Sequence, residues 1–160
     1  MDLELEWTPR FGVGIAGLDR DHMALIGSYN NLVGTLGRDG RRRAFLPVFE
    51  QLLGCAARHF AHEELVMRNI GYDAYRAHKA EHDRLRTDAN DFVINVVGAY
   101  ARGDLPVVAK YFRYWLVNHI VVHDKRIGAF VEQGWETPGL ETYQCEREPL
   151  CQRQARRFLC

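Results

Sequence analysis

FLPVFEQLLGCAARHFAHEELV, residues 45–66, repeats its inward-facing positions at alternating spacings of four and three: Phe45, Phe49, Leu52, Ala56, His59, Glu63 and Val66. That spacing is the stripe of a helix packing against other helices. The stripe is apolar until its last turns, where a histidine and a glutamate stand at i and i+4 on the same face. The helix is expected to stop at Gly71.

Three further segments have the same periodicity. One, with Asp19 as expected N-cap, carries Leu18, His22, Leu25, Tyr29, Leu32 and Leu36 and closes at the breaker run Gly37 to Gly40. Another, capped by Asp73, carries Tyr75, His78, His82, Leu85, Ala89, Phe92 and Val96, and Gly103 ends it. The last begins at Asp104, with Pro106 in its first turn where proline is tolerated, carries Val108, Phe112, Trp115, His119 and Val122, and runs towards Gly134. Short connections favour antiparallel neighbours, so the expected fold is all-α: an up-down-up-down antiparallel four-helix bundle. The arm WTPRFGVGIAG before the first helix reads as irregular, with Trp7, Phe11, Val13 and Ile15 available to cover one end. Residues 1–135 form the bundle domain in this reading, and residues 136–160 a basic, cysteine-containing extension.

Bulk composition narrows the function. The 160 residues carry 21 basic and 21 acidic side chains, so no overall field collects nucleic acid or acidic membranes. No apolar run approaches a membrane span, and the acidic start MDLELEWTPR is unlike a signal peptide, which makes the cytoplasm the expected location. Cys55 stands alone, while Cys145, Cys151 and Cys160 form neither a disulfide framework nor paired CxxC motifs. The tail reads as flexible, or as docking a protein partner.

The histidines decide more. His22, His59, His78, His82 and His119, with Glu63, all fall on inward stripes. Burying so many polar groups without a shared partner would cost a few kcal/mol each, comparable to the stability of a whole domain. In an alternating bundle the start of the first helix, the end of the second, the start of the third and the later half of the fourth meet at one end, and every candidate maps there. Imidazoles with some carboxylate suit iron, zinc or copper, and so many ligands exceed one zinc, implying two metals.

The stretch HIVVHDK, residues 119–125, leaves a choice. Helical periodicity pairs His119 with His123, about 40° apart, whereas Asp124 lies about 140° away. Two metal cations in a low-dielectric core need anionic bridges, which favours Asp124.

The elements LDRDHMAL, HFAHEE, HKAEH and WLVNHIVVHDK, in this order, resemble the hemerythrin family, specifically its bacterial single-domain members. The resemblance implies a non-haem di-iron centre in which His78, His82 and His119 bind one iron and His22 and His59 the other. Glu63 and Asp124 would bridge the two irons together with an oxo or hydroxo group, and the second iron would keep an open position for dioxygen. Leu25, Ile26, Trp115 and Leu116 match apolar positions of the family's dioxygen pocket. Asp21 stands where the family commonly has glutamine and is expected to face solvent, and His62 and His123 are expected to be neighbours of the ligands rather than ligands. The implied activity is reversible dioxygen binding by an oxygen carrier, store or sensor rather than an enzyme. The alternatives are a di-iron enzyme, such as a peroxidase or nitric oxide scavenger, and an iron-holding module.

Overall fold

The computed structural model describes residues 3–36, 45–102 and 105–134, excepting the side chains of 93–102 and 105. A short 3-10 turn at Pro9–Phe11 precedes α1 (Ala16–Gly34), α2 (Phe45–Asn69), α3 (Tyr75–Arg102) and α4 (Leu105–Asn118). A six-residue π turn, His119–Asp124, then carries the chain without a break into α5 (Lys125–Glu132). Since α4, the π turn and α5 form one rod, the architecture is the expected all-α four-helix bundle.

The predicted stripes are the packed faces. Tyr29, Leu32, Phe45, Phe49 and Phe112 are buried in the larger apolar cluster, where Phe49 meets Phe112 edge to face at 4.9 Å. A smaller cluster closes the other end with Val13, Ile15, Leu18, Val66, Met67, Ile70, Tyr72 and Ile127. His22 falls between Leu18 of the smaller cluster and Leu25 of the larger on α1, and His78 and His82 fall between Tyr72 and Leu85; on the other two rods the candidates share their turns with Phe60 and Ile120 of the larger cluster and give way to Val66 and Ile127 of the smaller. The polar groups thus occupy a layer shielded by hydrocarbon on both sides.

Several expectations need correction. Asp19 does not cap α1, which starts a turn earlier because burying Ile15 and Leu18 favours a longer rod; the cap position is Ile15. The Asp19 carboxylate instead accepts the Val13 N–H at 2.6 Å and ties down the arm. Asp73 lies two residues before α3, in the turn that leads into it. The arm is less irregular than its glycines suggested, since it contains the 3-10 turn, and Phe11, Val13 and Ile15 are buried in two different clusters. Val122, placed inward by α-helical spacing, is 40% exposed. The π turn accounts for that displacement: its wider winding rotates Val122 out and brings Asp124 in. Asp104, Gly103 and residues 135–160 lie outside the described residues, as do the side chain of Val96 and the breaker run Gly37 to Gly40.

Candidate metal centre

His22 on α1, His59 and Glu63 on α2, His78 and His82 on α3, and His119 and Asp124 on the π turn are all buried, each at most 5% exposed. The π turn resolves the spacing problem of HIVVHDK. Where bonds run from residue i to i+5, residues five apart return to one face; here the Lys125 N–H bonds to the Ile120 carbonyl, five residues back. His119 and Asp124 therefore point inward together, with His119 Nε2 3.1 Å from Asp124 Oδ1. His123 is turned aside, its ring stacked on His119 at 5.7 Å and its Nε2 3.7 Å from Glu81 Oε1.

The inward atoms form two groups able to hold a cation, Glu63 with His78, His82 and His119, and Glu63 and Asp124 with His22 and His59. Glu63 Oε2 is the hub: it lies 3.6 Å from His59 Nε2, 3.3 Å from His78 Nε2, 3.2 Å from His82 Nε2 and 3.9 Å from His119 Nε2. Asp124 divides its oxygens between the groups. Its Oδ1 faces His78 at 3.4 Å and His119 at 3.1 Å, and its Oδ2 faces His22 at 3.2 Å and His59 at 3.5 Å.

The arrangement is incomplete as a set of hydrogen bonds. His22 Nε2, both nitrogens of His59 and His119, Glu63 Oε1 and both oxygens of Asp124 are buried with no hydrogen-bond partner among the described residues. At about 1–3 kcal/mol for each orphaned group, the penalty would rival a domain's 5–15 kcal/mol of stability. His78 Nε2 and His82 Nε2 also face each other at 3.1 Å. A cation shared between the inward lone pairs takes up the orphaned Nε2 and carboxylate atoms and separates the facing rings, so the residues fit a metal cluster, and an imidazole-rich donor set with two carboxylates suits iron.

Outer partners fix the rings. His22 Nδ1 donates to the Phe11 carbonyl at 2.9 Å, and His82 Nδ1 donates to Glu64 Oε1 at 3.0 Å, which leaves each Nε2 as the inward lone pair. Glu64 is held in turn by Arg86 at 3.1 Å. Phe60 stacks on His82 with centroids 4.2 Å apart. Sequence reasoning missed both anchors: Phe11 acts through its backbone, which leaves no mark on residue type, whereas the doubled acid Glu63–Glu64 was a readable hint.

Asp21 does not simply face solvent. Its Oδ2 pairs with His62 Nδ1 at 2.6 Å and lies 3.9 Å from His59 Nδ1, because α1 and α2 pack closely where Gly17 leaves room for the His62 ring. Burial alone would raise the Asp21 carboxyl, but His59 and His62 pull it well below the usual range. His62 is thus beside the cluster without joining it, as expected.

Without metal, the carboxylates charge the rings. Burial works against an imidazolium at His59, yet Glu63, Asp124 and Asp21 raise its pKa from 6.5 to about 10. His78 is likewise raised to about 9 by Asp124 and Glu63 against its own burial. Burial and mutual repulsion oppose ionisation of Glu63 and Asp124, but the surrounding imidazoles hold both well below the ordinary carboxylate range. Burial lowers His82. Because the folded values of His59 and His78 exceed 6.5, their protonation stabilises the metal-free fold below that pH, and this contribution is lost as pH rises through 9 to 10.

Comparison with known proteins places the chain. Residues 13–131 match the family model described as the hemerythrin HHE cation binding domain. The chain belongs to the hemerythrin family. It is 31% identical over 128 residues to the bacteriohemerythrin of Methylococcus capsulatus, covering 78% of this chain and 94% of that one. It is 28% identical over 117 residues to the bacteriohemerythrin of Pseudomonas aeruginosa, covering 72% and 74%. A crystal structure of wild-type hemerythrin superposes with a TM-score of 0.65 at 30% identity, covering 78% of this chain and 95% of that chain. The hemerythrin match takes in every element from the buried Val13 to the end of α5 except the terminal Glu132. Leu25, Ile26, Trp115 and Leu116 are all buried in the larger cluster, the first two on α1 with His22 and the last two on the final turn of α4, just before His119.

Proposed function

We propose that this hemerythrin binds dioxygen reversibly at a non-haem di-iron centre, as a carrier, store or sensor without catalytic turnover, and does so in the cytoplasm. Among the described residues no helix is long and apolar enough to cross a membrane. His78, His82 and His119 would hold one iron and His22 and His59 the other, with Glu63 and Asp124 shared between them. The observation that carries this reading is the split of Asp124, whose two oxygens face different histidine groups at 3.1–3.5 Å. One iron then has one histidine fewer than the other, which leaves room for a small ligand. Bound iron supplies the electrons that dioxygen takes up and gives back.

The chain's own part is to orient and to exclude. Phe11 and Glu64 lock the His22 and His82 rings. Leu25, Ile26, Trp115 and Leu116, each at most 6% exposed, supply hydrocarbon that keeps water and anions from the bound ligand. A donor set of five imidazoles and two carboxylates favours binding over the oxidative chemistry that carboxylate-rich centres support.

The test is optical. The anaerobic, iron-loaded, reduced protein should develop a visible charge-transfer band in air and lose it when oxygen is withdrawn, over many cycles. Oxidation in the first cycle with no recovery would sink the proposal, and steady consumption of peroxide with a reductant would point to an enzyme.

Two predictions follow from the surroundings of the cluster. Metal-free protein at neutral pH carries protons on His59 and His78 that iron must displace, so reconstitution in weak buffer should release about two protons per chain, read with a pH indicator. Uptake should weaken as pH falls. Asp21→Asn should weaken retention of the ion held through His59 by roughly 10- to 100-fold in competition with a chelator, since it removes the anion beside His59 Nδ1.

A further inference from the structure

Arg86 stands one turn past His82 on α3 and reaches that ring by two routes. Its Nη2 donates to Glu64 Oε1 at 3.1 Å, the same oxygen that accepts His82 Nδ1–H at 3.0 Å. Its guanidinium carbon also lies 5.2 Å from the centroid of Phe60, the ring that stacks on His82 with planes 16° apart. The other arm of the fork, Nη1, donates to Asp83 Oδ1 at 3.0 Å, so the guanidinium is held at both ends.

An imidazole whose outer N–H donates to a carboxylate becomes more basic and gives more charge to a metal on its other nitrogen. Extra charge favours ferric over ferrous iron. His22 avoids this, because its Nδ1 donates to the neutral Phe11 carbonyl, but the acceptor at His82 is an acid. Alone, Glu64 would make His82 the more electron-rich ligand in a layer that already holds Glu63 and Asp124. Reversible binding needs the opposite, since the iron must return to the ferrous state whenever dioxygen leaves. Arg86 supplies the counter-charge on the very oxygen concerned. With the Glu64 side chain 12% exposed and that of Arg86 26%, water screens the pair only in part.

We propose that Arg86 is a positioning residue for the iron at His82, drawing off the Glu64 charge that would otherwise pass through the imidazole and holding the ring plane through Phe60, so that the centre stays reducible. The inference rests on the di-iron reading. It gives Arg86 a task beyond tying α3 to α2, and the two tasks separate in a measured potential.

The experiment is a double-mutant cycle on the iron-loaded chain, read as midpoint potential under anaerobic conditions. Arg86→Met keeps hydrocarbon over Phe60 but no charge. It should move the ferric-over-ferrous preference roughly tenfold towards ferric, the lower end of what an outer partner of a ligand is worth, or about 59 mV lower for a one-electron step. In Glu64→Gln, where no carboxylate is left for Arg86 to offset, the same substitution should act by less than about twofold. Metal-free protein gives a second reading by proton NMR: the His82 Nδ1–H resonance should move downfield in Arg86→Met, as Glu64 Oε1 becomes the stronger acceptor. An unchanged potential in Arg86→Met overturns the proposal. So does an equal shift with and without the Glu64 carboxylate, which would make Arg86 a distant charge or a structural tie. A chain that takes up no iron overturns the di-iron reading instead, and the resonance then decides: if it stays in place, Arg86 does not act on His82.

Discussion

Asp124→Ala should leave the chain unable to retain either iron, whereas His123→Ala should keep both. Asp124 is buried and places each of its oxygens against two imidazoles, at 3.1 and 3.4 Å on one side and 3.2 and 3.5 Å on the other. Alanine removes an anion from both groups at once, so affinity should fall by well over the roughly 100-fold that loss of an outer partner costs. His123, with its side chain 25% exposed and its nearest acid Glu81 at 3.7 Å, supplies no inward atom. The measurement is iron per chain after anaerobic reconstitution, with the visible band as a second readout. Equal loss in both variants would return His123 to the ligand set and refute the assignment of Asp124. In metal-free Asp124→Ala the pKa of His78 should also drop from about 9, because Asp124 is one of the two carboxylates that hold it there.

The same pair of residues marks the boundary of what the sequence discloses. Stripes at spacings of three and four gave the four rods and placed His22, His59, Glu63, His78, His82 and His119 in one layer, because α-helical phase carries over from the apolar neighbours of each residue. Asp124 lay beyond that logic. A single π turn changes the phase after His119, and nothing in the composition of HIVVHD announces it; periodicity therefore preferred His123 and put the exposed Val122 inside. Charge balance and family resemblance chose Asp124 where geometry could not. Asp21 failed for another reason: its partner His62 is 41 residues away, and only the packing of α1 on α2 shows that the two meet. The hold of the arm on His22 was equally hidden, since it runs through the Phe11 carbonyl.

That arm is the object of the second large effect, expected from Gly128→Ala. In an isolated helix the change would help by about 1 kcal/mol. Here a Cβ on Gly128 would stand 2.0 Å from the Val13 carbonyl oxygen and 2.9 Å from its carbon, so backbone must move and no rotamer can absorb the clash. Overpacking of this kind costs about 1–3 kcal/mol, and a fixed backbone partner argues for the upper end. For a chain of this size that is a fall in melting temperature of roughly 6–12 °C. The displaced segment is also tied to the site: Lys125 donates to the Gly12 carbonyl, Val13 N–H to Asp19, and His22 Nδ1 to Phe11 O. Loss of iron to a chelator should therefore accelerate along with the loss of stability, through freer rotation of the His22 ring. Gly27→Ala is the control, since Gly27 is an exposed position on α1 with nothing within 4 Å of an added Cβ, and it should leave iron retention unchanged and raise stability slightly. A melting temperature for Gly128→Ala equal to that of the unaltered chain would show that the arm does not press on α5 as closely as Val13 and Gly128 require.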